Sequence, residues 1–473
     1  MTLTEPPRAG WGALLSRRYL GVLVVLAGGV ALYATNVYVT ISLLPSAVAD
    51  IGGERLYAWS TTIFLLASVG SAVLVSKVLA GQGARRAYLI ALGLFVAGTV
   101  VCAVAPSMPA LLAGRAVQGA GGGLLAGLGY ALIRSTLPAP LWARASALVS
   151  AMWGVGTFVG PALGGAFAEF GVWRGAFVAL GLVAVGVAAV VPRALHGERG
   201  DAPAQPFPVV ALVLLAAAAL VVSTASLFPV LSVNLVGIVA GLLLIAGFVA
   251  YERRAGVRVL PAETFRGGSR LRWIYAAIAL VSMTAMVEGF IPLFGQRLAG
   301  LAPLAAGFLG AALALGWTLG EIPSAGAERP AATRRIIIAG PLVIALGLAA
   351  AALTMRQDPG GWLLAAWVVA FLVTGAGTGI AWPHLATSAM ASVTDAGDGT
   401  EGDKASAAIN TVQLVANAFG AALTGVAVNL GEPDPLRSAH YLFAGFLLVA
   451  ALGVAAAVLS TRRNHPDSVT SAP

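Results

Sequence analysis

The sequence predicts an all-α integral membrane protein with fourteen transmembrane helices, and three observations carry that expectation. The 473 residues are 59% hydrophobic and only 10% charged, with a mean hydropathy of +0.90; a soluble globular chain carries about 25% charged residues. Apolar runs recur near 19–46, 57–80, 87–105, 109–133, 143–168, 174–193, 207–228, 231–251, 273–296, 301–323, 336–354, 361–390, 405–429 and 439–460. Most are about 20 residues long, enough at about 1.5 Å rise per residue to cross a hydrocarbon core of roughly 30 Å. The third observation is charge asymmetry. With the N-terminus inside, 22 Lys and Arg fall in inner segments and 5 in outer loops (Arg55, Arg174, Arg297, Arg356 and Arg437). That positive-inside bias places both termini in the cytoplasm. A parity error at the weakest break, around Phe228–Leu231, would abolish it.

In chain order, 1–18 reads as a cytoplasmic tail. The apolar stretch that follows runs past the ~15 residues of a signal-peptide core and shows no clear small-residue cleavage site, so it is expected as a retained first helix. Residues 19–193 hold six spans, and 194–251 hold a linker and spans seven and eight. Residues 252–272 form a basic inner loop, 273–460 hold six more spans, and 461–473 form a second cytoplasmic tail. The acidic, Gly-rich stretch 394–404 lacks calcium-loop ligand spacing and reads as a flexible linker.

Several function classes are excluded on composition. The net charge of +9 and pI near 10.2 come from residues at span ends rather than from a basic aromatic groove, which argues against nucleic acid. Cys102 is the single cysteine, so disulfides and cysteine metal clusters are excluded and no metal site is expected. No phosphate-binding Gly-rich loop with its Lys-Ser/Thr is present, so ATP supplies no engine and no cofactor is expected. An integral-membrane enzyme acting on lipids would need a convergent nucleophile–base or His/Asp cluster; His196, His384, His440 and His465 are scattered.

Arg115 is the most informative residue. It lies in LLAGRAVQGAGGGLLAGLGYAL, with no other charge between Pro109 and Arg134. A guanidinium at membrane depth stays charged and is costly unless it faces a polar interior, so it marks a functional site. Arg115, Gln118, Gly119 and Gly122 fall at i, i+3, i+4 and i+7, on one helical face. In span five, Gly156, Gly160 and Gly164 repeat every four residues as a small-residue packing ridge, and Pro161 removes a backbone bond within it. Plain helix packing accounts for that ridge as well as a gate does.

These residues resemble the major facilitator superfamily, in its fourteen-helix drug/proton antiporter branch. LLAGRAVQGAGGG (111–123) is similar to that superfamily's fourth-helix pattern, and GTFVGPALGG (156–165), which ends in Gly164 and Gly165, to its fifth-helix antiporter pattern; VWRGAF (172–177) also looks like the family. The resemblance implies two six-helix bundles around a central cavity, with spans seven and eight as an inserted pair. Two departures stand out. SKVLAGQGARR (76–86) keeps Gly83, Arg85 and Arg86 but has Ala80 where the family's loop usually carries Asp. Asn36, counted back from Leu44-Pro45, occupies the place where the family's first helix often has Asp, and an amide cannot carry a proton.

Of the 19 acidic residues, only Glu288 (span nine) and Glu321 (span ten) fall at membrane depth. A carboxyl group shielded from water favours its neutral form and can load and release a proton as access alternates. Glu288 is therefore the expected proton-coupling residue, with Arg115 as its companion; a permanently charged cavity residue that selects cations, or that pairs with Arg115, is the competing reading. Glu321 is expected at the inner gate, bonded to nearby arginines. Tyr33, Asn36 and Thr40 on span one, Gln118 on span four, and Asn410, Gln413 and Asn417 on span thirteen are the cavity and substrate candidates. Polar glue between helices explains any one of them as well as binding does. Trp153 and Trp317 read as packing anchors, and His384, which ends TGAGTGIAWPH, as an interfacial residue.

The expectation for function is a secondary active, multidrug-type exporter of a bacterial inner membrane. It exchanges protons for small hydrophobic or amphipathic compounds and works as a monomer in the bilayer, without nucleic acid. The alternatives are a lipid or siderophore exporter of the same fold, or an uncoupled facilitator.

Overall fold

The computed structural model describes residues 11–195, 208–324, 326–327, 329–392 and 400–462. The end segments 1–10 and 463–473, part of the 194–251 linker and most of the acidic stretch 394–404 lie outside the described residues. All regular structure among the described residues is helical.

Fourteen long helices account for the apolar runs. They are α1 (Arg17–Ile51), α2 (Tyr57–Val73), α3 (Val75–Ala103), α4 (Met108–Ala131), α5 (Trp142–Glu169), α6 (Arg174–Ala194) and α7 (Val209–Ala225). Then follow α8 (Leu231–Glu252), α9 (Leu271–Ala299), α10 (Pro303–Ser324), α11 (Pro330–Thr354), α12 (Gly361–Ala391), α13 (Thr400–Gly431) and α14 (Pro435–Thr461). Twelve of the described helices are long and apolar enough to cross a membrane. The other two are α7, with 17 residues, and the Gly-rich, Arg115-bearing α4.

The helix boundaries follow local chemistry. The chain stays helical from α2 past Leu74 and reverses at Gly83, whose φ of 72° and ψ of 166° no L side chain tolerates well; 76–86 is thus two helix ends meeting at one glycine. Pro109, Pro330 and Pro435 sit in the first turns of α4, α11 and α14, where no N–H is needed. The Asp434 carboxylate caps α14 by accepting from the Leu436 and Arg437 N–H groups. Helix α5 continues through Pro161.

Helix α9 is interrupted. Ala285–Phe290 winds as a 3₁₀ turn between α-helical Leu271–Thr284 and Ile291–Ala299. The cause is Pro292: the N–H it lacks would have bonded the carbonyl of Glu288, four residues earlier, and Gly289 weakens the same turn. Mid-helix 3₁₀ stretches mark hinges or strained sequence. Here the break falls on the carboxylate that the sequence singles out.

The chain forms two compact units. The first contains the described residues of Met1–Phe207 with Ser223–Phe228 and Glu288–Ala311; the second contains Pro208–Val222, Pro229–Val287 and the described residues from Ala312 onward. In the first, α1 packs along α5, and α4 lies against α1, α2 and α3. In the second, α11 packs on α12 and α14, and α9 on α13 and α14. Ala218 and Val222 of α7 join a buried cluster with Met283, Ala416, Phe419, Ala422 and Val426. In lipid, contacts of this kind act through close packing rather than water expulsion.

Candidate functional site

In the first unit, small residues bring the backbones together. A Cβ at Gly98 would meet the Gln118 backbone, one at Gly119 the Phe64 carbonyl, and one at Gly123 the Ser68 carbonyl. Gly122 faces the Tyr33 ring, 2.9 Å from where its own Cβ would stand. The glycines of α4 therefore serve three neighbours rather than one face. They let α4 sit deep enough that Arg115 is 2% exposed.

Arg115 is bonded within its own unit. Nη1 donates to Gln118 Oε1 at 2.6 Å and Nε to the Ser60 carbonyl at 3.4 Å, and the guanidinium lies 4.1 Å from the centroid of the Phe64 ring. Gln118 Nε2 donates to Thr99 Oγ1 at 2.8 Å, and that hydroxyl donates to the Phe95 carbonyl at 2.6 Å. The arginine thus uses a neutral amide, a carbonyl and a π face, with no carboxylate in ion-pair range among the described residues. Tyr33 stacks on Phe64 and meets Trp153 edge-on, both at 5.5 Å between centroids.

The other span-one candidates are placed differently. Asn36 is fully buried, and neither its amide nitrogen nor its amide oxygen has a hydrogen-bond partner. Thr40 is buried and donates to the Asn36 carbonyl on its own helix at 2.9 Å. The α5 ridge seats α1: Gly156 abuts Ala34 and Thr35, Gly160 abuts Tyr38 and Val39, and Gly164 abuts Val39. Gly165 instead abuts Leu304, and Pro161 lies 3.5 Å from where a Cβ on Gly307 would stand.

Glu288 belongs to this unit. It is 8% exposed, and its Oε1 has no hydrogen-bond partner. Tyr38 of α1 is its electrostatic neighbour. Two residues on from Glu288, Phe290 packs on Tyr57 at 4.6 Å between ring centroids. Gly310 lets α10 press on Pro292, 3.1 Å from where its Cβ would be. An unpartnered buried carboxyl oxygen is costly and is retained where it is used. Tyr38 went unnoticed in the sequence, because it falls off the 33–36–40 stripe and only the approach of α1 to α9 brings it near Glu288.

In the second unit, Asn410 is exposed on α13, while Gln413 and Asn417 are half-buried; Asn417 Oδ1 has no hydrogen-bond partner. The expected arginine bonds of Glu321 are not formed among the described residues. Its Oε2 accepts from Trp317 Nε1 at 2.9 Å, one helical turn away, and the Trp317 ring meets Trp382 at 5.7 Å. His384 is buried, with Nε2 2.9 Å from the Ser324 carbonyl. No group of three metal-ligating side chains is found among the described residues.

Comparison with known proteins fits this architecture. The chain is 50% identical to a probable multidrug-efflux transporter of Mycobacterium tuberculosis strain H37Rv, over 98% of this chain and 99% of the relative. It is 29% identical to a probable actinorhodin transporter of Streptomyces coelicolor, over 80% and 67% of the two chains. The fold matches crystal structures of a POT family transporter (TM-score 0.66, 14% identity, 91% and 95% of the two chains) and of the nucleoside transporter NupG (0.65, 10%, 95% and 100%). The family profile described as Major Facilitator Superfamily matches residues 26–401. With fourteen long helices, the arginine-bearing α4 and the Gly-Pro-bearing α5, this multi-pass membrane protein belongs to the major facilitator superfamily.

Proposed function

We propose that the protein is a proton-coupled exporter of small hydrophobic or amphipathic compounds. It works in a bacterial cell membrane with both termini in the cytoplasm, by alternating access around a midplane site. Glu288 carries this reading. It is a deeply buried carboxyl group with one unpartnered oxygen, on a 3₁₀ break of a membrane-spanning helix. A carboxyl group there binds a proton when shielded and releases it when water reaches it. Movement at the turn changes that access. Glu288 would thus take the protonatable role that Asn36 cannot fill. Arg115, already satisfied by Gln118 and Ser60, holds positive charge in the same unit without neutralising Glu288. The name of the 50%-identical relative supports the exporter direction and the drug-like cargo.

The test is dye accumulation in inverted membrane vesicles with and without an imposed pH gradient. Wild-type protein is expected to concentrate the dye only with the gradient. Glu288→Gln is expected to equilibrate the dye without concentrating it, and full coupling in that variant would overturn the reading. One further reading has an observation of its own: because Asn36 is an amide, the protein could be an uncoupled facilitator. In that case wild type would also equilibrate the dye and ignore the gradient.

A further inference from the structure

The first unit carries a patch of cations with no anion of its own to match them. No Asp or Glu occurs between Glu54 and Glu169, a stretch that holds seven Lys and Arg. Three of the seven, Lys77, Arg85 and Arg86, are exposed on either side of the Gly83 reversal. None of these three forms an ion pair among the described residues. Ala80 stands between them, at the place where the family's loop usually carries Asp. Like charges set this close repel one another, and an anion from outside the chain relieves that repulsion.

The patch also has a shaped floor. Leu74, Lys77, Val78 and Gly81 fall at i, i+3, i+4 and i+7, on one face of the helical segment that ends at Gly83. With Ala80 and Gln82 they line a groove of about 660 Å³, within the roughly 300–1,000 Å³ of small-molecule clefts. Nothing lies within 4 Å of a Cβ built on Gly81, so the floor is open at that point. Lys77 is the one charged residue of the lining. Leu74, Val78 and Ala80 supply apolar surface, and Gln82 adds an amide next to the reversal. An apolar channel with a single cation in its wall suits an amphiphile with an anionic head. A free anion would leave the apolar part of the lining unmatched.

We propose that this groove binds the head and upper acyl chain of an anionic phospholipid, with Lys77 holding the phosphate. A lysine ammonium is a compact point charge well suited to phosphate. Arg85 and Arg86 add positive potential from the other side of the reversal. A zwitterionic lipid brings its own cation next to the phosphate, and three nearby positive charges oppose it. The site rests on the topology proposed above, which puts the Gly83 reversal at the cytoplasmic leaflet, where anionic lipids concentrate negative charge. It depends neither on proton coupling nor on the cargo. The competing explanation is the diffuse attraction that any basic inner segment feels for that leaflet.

Native mass spectrometry of the full-length protein in detergent decides between them, by titration with dioleoylphosphatidylglycerol and, separately, dioleoylphosphatidylcholine. Wild type is expected to bind its first phosphatidylglycerol more tightly than its first phosphatidylcholine. Lys77→Gln is expected to weaken phosphatidylglycerol about fivefold and Lys77→Arg to retain it. Gly81→Leu fills the floor without changing charge and is expected to weaken the same lipid by a similar factor. Should that variant misfold, the two Lys77 variants still give a reading. Arg254→Gln removes an exposed charge from the inner loop of the second unit and is expected to change binding less than about twofold. Equal affinity for the two lipids in wild type would overturn the site. So would unchanged binding in a folded Gly81→Leu protein, or a loss in Arg254→Gln as large as in Lys77→Gln. Displacement of the lipid by millimolar inorganic phosphate would assign the groove to a free anion instead. A reversed topology would show separately, as labelling of Ser76→Cys from outside intact cells. A failure of proton coupling would show in the gradient dependence of dye flux, with these lipid affinities untouched.

Discussion

Arg115 Nη1 and Gln118 Oε1 are 2.6 Å apart, one turn along the same buried helix. The arginine of a membrane-embedded helix is thereby matched by a neutral amide three residues on, which is in turn oriented by Thr99. Replacing Gln118 by Leu removes the acceptor but leaves the charge in place. A buried hydrogen bond to a charged group contributes about 1.5–3 kcal/mol, so a loss of about 2 kcal/mol is expected, read as a lowered thermal midpoint in detergent. Changing both partners together, Arg115→Met with Gln118→Leu, is expected to cost less than the two single losses combined, because no orphaned charge remains. Strict additivity would show that the pair is not coupled.

Gly160 and Gly154 lie on the same helix and are expected to respond oppositely to alanine. A Cβ at Gly160 would run into Tyr38 and Val39 of α1, whereas nothing lies within 4 Å of one at Gly154. Overpacking of this kind costs about 1–3 kcal/mol. Removing an unneeded glycine from a helix stabilises it by about 0.5–1 kcal/mol. Thermal midpoints of Gly160→Ala and Gly154→Ala measured side by side are expected to fall and to rise, respectively. Gly160→Ala is also expected to lower transport, since the backbone it displaces carries Tyr38, the neighbour of Glu288.

Much of this was legible in the sequence, for stated reasons. Span count and limits follow from hydropathy, and a helix closes its own hydrogen bonds, so α1 to α14 fall where the apolar runs do. The break in α9 was also written in the sequence, in Gly289 and Pro292, although the periodicity of the apolar residues hides it. Partnerships between helices were not legible. Spacing on one helix places Arg115, Gln118, Gly119 and Gly122 on a common side, yet the glycines meet Phe64, Tyr33 and other residues on separate helices. Likewise Glu321 was expected to meet arginines because charge seeks charge, whereas its partner is Trp317, the residue one turn away. Tyr38 beside Glu288, and Trp382 beside Trp317, depend on helix register that no local pattern encodes.

Glu252 ends α8 and is fully buried, at the start of the loop read from sequence as a basic inner connection. Its carboxylate accepts from the Val259 N–H through both oxygens and from the Leu260 N–H at 2.9 Å. One side chain therefore folds the 253–260 segment back onto the helix end. Glu252→Ala would leave two N–H groups without that acceptor, at about 1–3 kcal/mol. Trypsin is expected to cut at Arg253, Arg254 or Arg258 faster in this variant than in wild type, followed by mass spectrometry of the fragments. Equal cutting rates would mean that the loop is held by other contacts.

Glu54 and Arg297 form an ion pair at 2.5 Å between the turn that follows α1 and the last turn of α9, with side chains 54% and 33% exposed. An exposed pair of this kind contributes about 0–1 kcal/mol, so Glu54→Gln is expected to leave thermal stability almost unchanged. Its meaning is positional. The same part of the first unit brings Gly165 against Leu304, and the Glu169 carboxylate accepts from the Leu304 N–H at 3.4 Å. The end of α9 and the start of α10 are thus held to the end of α1 and to α5 by one exposed ion pair, one hydrogen bond and close backbone packing. Under the alternating-access reading this contact must open once per cycle. A double variant, Glu54→Cys with Arg297→Cys, tests this, since Cys102 is buried and will not compete for reagent. A short bifunctional thiol reagent is expected to link the two positions and to stop dye transport, with transport recovering on reduction. Full transport by the linked protein would show that this contact stays closed throughout the cycle and that opening takes place elsewhere.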